Sequence, residues 1–160
     1  MSGVDGVFAG FTASDVVGDV RTIAGLTYEV YGPPTGLLPP SMKALMVPQD
    51  GYYGRATHNL TQKTGEAAAR SGYGTAYGHK GATYGYQSLV AFMPGLGFAL
   101  AVATNLELDL QQQPSDIFCG VYNRLRNVIL NEPLESCTFV GNSYDSSNCN
   151  CTVKASVSTR

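Results

Sequence analysis

Two short runs of this chain are apolar at every position. They are residues 89–92 (Leu-Val-Ala-Phe) and 98–103 (Phe-Ala-Leu-Ala-Val-Ala), separated only by Met93-Pro94-Gly95-Leu96-Gly97. Two such runs around a Pro-Gly turn predict an antiparallel hairpin. A strand with one wet face alternates apolar and polar side chains. These strands do not alternate, so both faces of the hairpin have to be covered. The implied class is α+β (α/β in the broad sense): an antiparallel sheet packed with helices.

The covering elements are legible in part. Residues 12–24 read as a helix, with Thr12 as cap, Asp15 in the capping-box position, Val16, Val17, Val20 and Ile23 on the apolar face, and Gly25 as the stop. Residues 41–46 read as a short helix ended by Pro48. Residues 50–71 are polar and read mostly as loop; within them His58 reads as a solvated side chain. Residues 72–77 and 84–92 read as further strands. Residues 114–130 give the clearest helix, with Ser115 as N-cap, Asp116 at the positive end, and Ile117, Val121, Leu125 and Val128 as its apolar stripe. This divides the chain into a domain over 1–131 and a Cys/Ser/Asn-rich tail over 132–160.

Composition narrows the function classes. Charged residues are only 14% of the chain and the net charge is −2, so it has no basic stripe of the kind nucleic-acid binding needs. The longest apolar stretch, residues 89–103, is too short and too broken by Pro94, Gly95 and Gly97 for a membrane span. Four cysteines (Cys119, Cys137, Cys149, Cys151) and two sequons, at Asn59 and Asn150, point to a secreted glycoprotein with disulfides. Met1 to Gly10 carries no leader pattern, so a piece of a longer precursor is the expectation. Cys149 and Cys151 flank one residue, too small a ring for an unstrained bridge. If all four cysteines pair within the chain, Cys119 joins Cys149 or Cys151, and Cys137 takes the other. No four-ligand metal spacing is present, and no cofactor is called for.

The segment that carries chemistry is Tyr77-Gly78-His79-Lys80-Gly81-Ala82-Thr83-Tyr84-Gly85-Tyr86. A basic residue, any residue and Gly, then a small residue, Thr and a Gly-aromatic pair, stand ahead of an apolar hairpin and an amphipathic helix. This resembles the third motif, K-T-G or H-x-G, of the serine β-lactamase-like and penicillin-binding-protein-like family (D-Ala-D-Ala carboxypeptidases, class C β-lactamases). Ala9-Gly10 with Ser14 and Asp19 resembles the A-G-x-x-x-S-x-x-x-D stretch after that family's second motif, with one spacing difference. Gly72-Tyr73-Gly74 resembles the G-Y-G strand before the third motif. The resemblance covers residues 7–131 and implies the C-terminal part of the transpeptidase fold.

The resemblance implies roles for individual residues of this segment. Gly81 lets a substrate backbone approach, and the N–H of Ala82 serves as one oxyanion-hole donor. His79 holds the place of the motif's cationic residue near the nucleophile. Lys80, which departs from the usual Thr or Ser, and Thr83 fall in the substrate-binding stretch. The literal Lys63-Thr64-Gly65 lacks a strand and a Gly-aromatic pair after it and reads as a chance match.

The departures are as informative. The chain contains no S-x-x-K and no Y-x-N, so the acylating serine, its lysine and the second motif are missing. The expectation is a fragment or subunit of a secreted serine hydrolase acting on an amide or ester, completed by the N-terminal part of the same precursor or by a partner chain. The rival readings are an inactive structural or assembly protein that keeps the fold, and a carbohydrate-binding module lined by Tyr52, Tyr53, Tyr73 and Tyr77.

Overall fold

The computed structural model describes residues 17–33, 36–48, 52–64, 74–83, 85–106 and 112–135. Helix α1 (Val20–Tyr31) is followed by α2 (Pro40–Met46), the two-residue strand β1 (His58–Asn59) and a 3-10 turn (Thr61–Thr64). Strands β2 (Tyr77–Thr83), β3 (Tyr86–Met93) and β4 (Phe98–Thr104) come next, and helix α3 (Gln112–Leu130) ends the described fold. The sheet has the order β1-β2-β3-β4, antiparallel throughout. The α+β class expected from the hairpin is the class observed.

Helix α1 starts and stops later than its sequence suggests. The carboxylate of Asp19 accepts the N–H of Thr22 at 2.7 Å, capping the helix at Val20 rather than at Thr12. Val17 to Asp19 are not helical, and residues 12–16 lie outside the described residues. Gly25 does not stop the helix: it sits mid-helix facing open space. A helical glycine costs about 1 kcal/mol relative to alanine, less than packing of the helix on the sheet returns. The stop is Gly32, whose N–H donates to the carbonyl of Tyr28 at 2.7 Å, and where a Cβ would collide with that carbonyl.

Of the strand expected over 72–77, residues 74–76 are described and form no strand. Gly72 and Tyr73 lie outside the described residues, Gly74 is in a turn, and Tyr77 opens β2 itself, so the motif strand runs unbroken from Tyr77 to Thr83. Thr83 pairs with Tyr86, and Gly85 between them takes φ +88°. The Gly-aromatic pair of the motif is thus a tight-turn glycine followed by the first residue of β3.

The register sorts side chains to two faces. Leu89, Ala91 and Met93 of β3 share one face with their β4 partners Val102, Leu100 and Phe98. This face carries the core, closed by Leu60, Ala76, and Phe118 and Tyr122 of α3. On the other face Val90 and Phe92 pair with Ala101 and Ala99. The small alanines leave room for α1, whose Tyr28 meets Phe92 edge-on at 5.8 Å. Both faces of the hairpin are covered, α1 on one side and α3 on the other.

Helix α3 buries a different stripe from the one its apolar periodicity suggests. Pro114, Ser115, Phe118, Cys119, Tyr122, Asn123 and Arg126 are buried, whereas Ile117, Val121 and Val128 are exposed, Val128 by 74%. Leu125 is half-buried. Two aromatic rings one turn apart bury more area than the aliphatic alternative, so Phe118 and Tyr122 set the rotation. Ser115 is therefore inside the helix and buried rather than its cap. The following segment meets part of this polar side: Arg126 pairs with Glu132 and, at 3.1 Å, with Glu135, and the half-buried Asn127 donates to the carbonyl of Glu132 at 2.8 Å, while Arg126 Nε and the Ser115 hydroxyl are buried with no hydrogen-bond partner among the described residues. Asn131, at φ 54°, ends the helix in the left-handed conformation that asparagine tolerates. Cys119 is disulfide-bonded, and its partner lies outside the described residues. No described helix is long and apolar enough to cross a membrane.

The stripe left outside has a measurable consequence. Ile117, Val121, Val128 and Ile129 expose an apolar ridge along α3, and such ridges drive association. Expressed alone, the chain is expected to self-associate, and Val121→Lys with Val128→Glu is expected to shift it toward monomer in analytical ultracentrifugation. Because both positions are exposed, stability should change by only about 0.5 kcal/mol per site. A wild-type chain that stays monomeric at high concentration would contradict this.

Candidate functional site

The site is built where a tight loop meets the start of β2. The carbonyl of Tyr52 accepts the N–H of Asn59 at 2.8 Å, and that of Thr57 accepts the N–H of Gly54 at 2.7 Å, while Tyr53 bridges His58. Ala56 turns the chain at φ 54°. Thr57, fully buried, anchors the loop by a 2.7 Å hydroxyl contact with Tyr31 of α1. Tyr53 and His58 are thereby held side by side, ring centroids 4.4 Å apart. β1 pairs only with Tyr77 and Gly78, so no described strand pairs with that edge of β2 from His79 to Thr83.

His79 is exposed and lies against this loop. Its ring centroid is 4.5 Å from that of His58, and its Nε2 is 3.0 Å from the hydroxyl of Tyr53. Its Nδ1 is 2.5 Å from the carbonyl oxygen of Lys80, an acceptor only. In the neutral ring Nδ1 therefore carries the hydrogen and donates to Lys80, leaving the lone pair of Nε2 to accept from Tyr53. A phenol hydrogen-bonded to an oriented imidazole can pass its proton to the ring and recover it, the requirement for general acid–base catalysis. Tyr53, 52% exposed, is open to solvent beside it.

The motif residues do not all reach one place. Successive residues of a strand point to opposite faces. His79 shares the α1 face with Val90, and Lys80 shares the α3 face with Leu89. The Lys80 ammonium lies 5.6 Å from the ring of Tyr52. Gly81 faces Ser88, whose Oγ would lie 2.6 Å from a Cβ at that position, so a packing reason for this glycine stands beside the substrate-approach one. Ala82 is exposed on the unpaired stretch, and Thr83 closes β2. Gly78 carries the tighter constraint, since a Cβ there would overlap the carbonyl of Val90.

The environment of His58 differs from the one its sequence suggests, whereas the literal K-T-G lies off the strands as expected. His58 is not a solvated loop side chain: its ring packs against Tyr52, Tyr53 and His79, and its buried Nδ1 has no hydrogen-bond partner among the described residues. Burial first, then the charges of His79 and Lys80, lower its pKa from 6.5 to about 4. Lys63 and Thr64 of the literal K-T-G lie in the 3-10 turn rather than on a strand; both are buried, and Gly65 lies outside the described residues. Burial and the charge of Lys80 lower the Lys63 ammonium to about 8, partly offset by Asp116. No group of three or more His, Cys, Asp or Glu able to hold a metal occurs among the described residues.

The lowered His58 pKa has a sign that can be checked. The folded state binds fewer protons than the unfolded state between pH 6.5 and about 4. Stability is thus full above pH 6.5 and lost as pH falls through that window. The urea midpoint is expected to drop between pH 7 and 4.5, and to drop less in His58→Gln. Parallel curves for the two proteins would contradict the packing of His58.

An aromatic pocket opens on the α1 face. Its volume is about 410 Å³, and Tyr28, Tyr31, Lys43, Tyr77 and Phe92 are among its lining residues. Lys43 is held by the carbonyls of Gly32 (2.9 Å) and Pro33 (2.5 Å). Tyr77 stands two residues before His79 on the same face of β2.

No family model, no curated protein and no solved structure matches this chain. Its class is α+β, a four-stranded antiparallel sheet with three helices among the described residues.

Proposed function

We propose that this chain is the C-terminal part of a secreted serine β-lactamase-like hydrolase, with the nucleophile supplied by an N-terminal segment of the same precursor or by a partner chain. The observation that carries the reading is the pairing of His79 with Tyr53 at the unpaired edge of β2. The motif His-x-Gly thereby comes with a proton-transfer partner at hydrogen-bond distance and with an open main-chain edge beside it. In this reading the incoming serine oxygen attacks an ester or amide carbonyl. The N–H of Ala82 donates to the oxyanion, and the Tyr53–His79 pair handles the serine proton. The exposed ridge of Ile117, Val121 and Val128 supports the same reading, as a surface for the completing segment.

Taken alone, the chain has no S-x-x-K. A fluorophosphonate or fluorescent β-lactam probe is expected to leave it unlabelled, and to label the protein once the completing segment is present. Stoichiometric labelling of a serine in the isolated chain would contradict the assignment of roles. A carbohydrate-binding role is the second reading, favoured by the pocket that Tyr28, Tyr31 and Tyr77 line. Saturable binding on a glycan array, lost in Tyr77→Ala, would support it over the hydrolase reading.

A further inference from the structure

We infer that Asn59 is an N-glycosylation site, and that its local geometry in β1 is suited to carrying the glycan. The inference is independent of the proposed hydrolase. Asn59-Leu60-Thr61 is a sequon, and sequons recur by chance, so the letters alone carry little. The geometry adds three observations. The Oδ1 of Asn59 accepts both the N–H of Thr61 at 3.1 Å and its hydroxyl at 2.6 Å. Two donors on the carbonyl oxygen draw electron density from the amide and favour loss of a proton from Nδ2. Nδ2 itself makes no hydrogen bond among the described residues, so a sugar attached there displaces none. Leu60, between them, is 1% exposed and anchored through its N–H to the carbonyl of Ala76 at 2.8 Å. The core thus holds the middle residue while Asn59 stays partly open to solvent.

The reaction needs a lipid-diphosphate-linked oligosaccharide as donor and a secretory-pathway oligosaccharyltransferase. Nδ2 attacks the anomeric carbon, an N–C bond forms, and the anomeric C–O bond to phosphate breaks. The lipid diphosphate leaves with the bonding electron pair, and the proton lost from Nδ2 passes to a base of the transferase. The product carries the glycan beside His58, next to the His79–Tyr53 pair.

The test is secretion of the full chain from a glycosylating eukaryotic host, behind a leader and with a control sequon in a terminal tag. After peptide-N-glycosidase treatment, peptide mapping is expected to find Asn59 converted to Asp. Thr61→Ala should abolish that conversion and Thr61→Ser should retain it. Tryptic peptides report occupancy whether or not a variant folds well. An Asn59 peptide left unmodified in molecules whose control sequon is glycosylated would overturn the inference, as would modification that survives Thr61→Ala.

Discussion

Phe118→Ala is expected to destabilise the fold by about 3–5 kcal/mol. Phe118 is fully buried and lies in the cluster with Leu60, Leu89, Ala91, Met93 and Tyr122. Removing the ring takes away its transfer energy and leaves a cavity between α3 and the sheet that strands on one side and a helix on the other cannot readily collapse. Domains of this kind unfold at about 5–15 kcal/mol, so the variant should sit near the edge of folding. The outward-facing Ile117→Ala, one residue away and 48% exposed, should cost far less. Urea denaturation of the two variants makes the comparison. Equal losses would mean that α3 is rotated from the position described, with the aliphatic stripe inward.

If the proposed hydrolase is active once completed, His79→Ala is expected to lower its turnover by about 10²–10⁴-fold, the usual worth of a positioned proton-transfer group. Folding should be preserved, because the imidazole is exposed and the strand it leaves is held by β3. Tyr53→Phe keeps the ring contact with His58 and removes only the hydroxyl, so it should reproduce part of the loss and alter the pH–rate profile. Unchanged kinetics in a correctly folded His79→Ala protein would remove the histidine from the site.

The parts of this structure that the sequence discloses are those where one physical signal has no competitor. Residues 98–104 can only be a strand covered on both sides, and β4 has those bounds. At α1 the cap read from the sequence is Thr12, whereas Asp19 caps the helix observed, and the glycine that invites a stop, Gly25, is overridden by packing while Gly32 ends the helix. On α3 two stripes share the helical period. The aliphatic periodicity singles out Ile117, Val121, Leu125 and Val128, but the buried stripe is decided by the sizes of Phe118 and Tyr122 against a sheet that the local sequence does not contain. The site divides in the same way. His79 stands out through its neighbours Gly81 and Gly85. Tyr53 stands 26 residues earlier with no spacing signal, and only the closure of the loop through Thr57 and Tyr31 brings its hydroxyl to the ring.

In the proposed function this chain supplies one wall of an acyl-transfer site whose nucleophile lies elsewhere. The most direct measurement is the sequence of the full-length transcript that encodes it, read upstream of residue 1. The expected result is an in-frame S-x-x-K followed by Y-x-N, together with a secretion signal. A complete transcript lacking both motifs, with no partner chain that supplies them, would contradict the hydrolase reading and leave a protein that keeps the sheet and its helices without the chemistry.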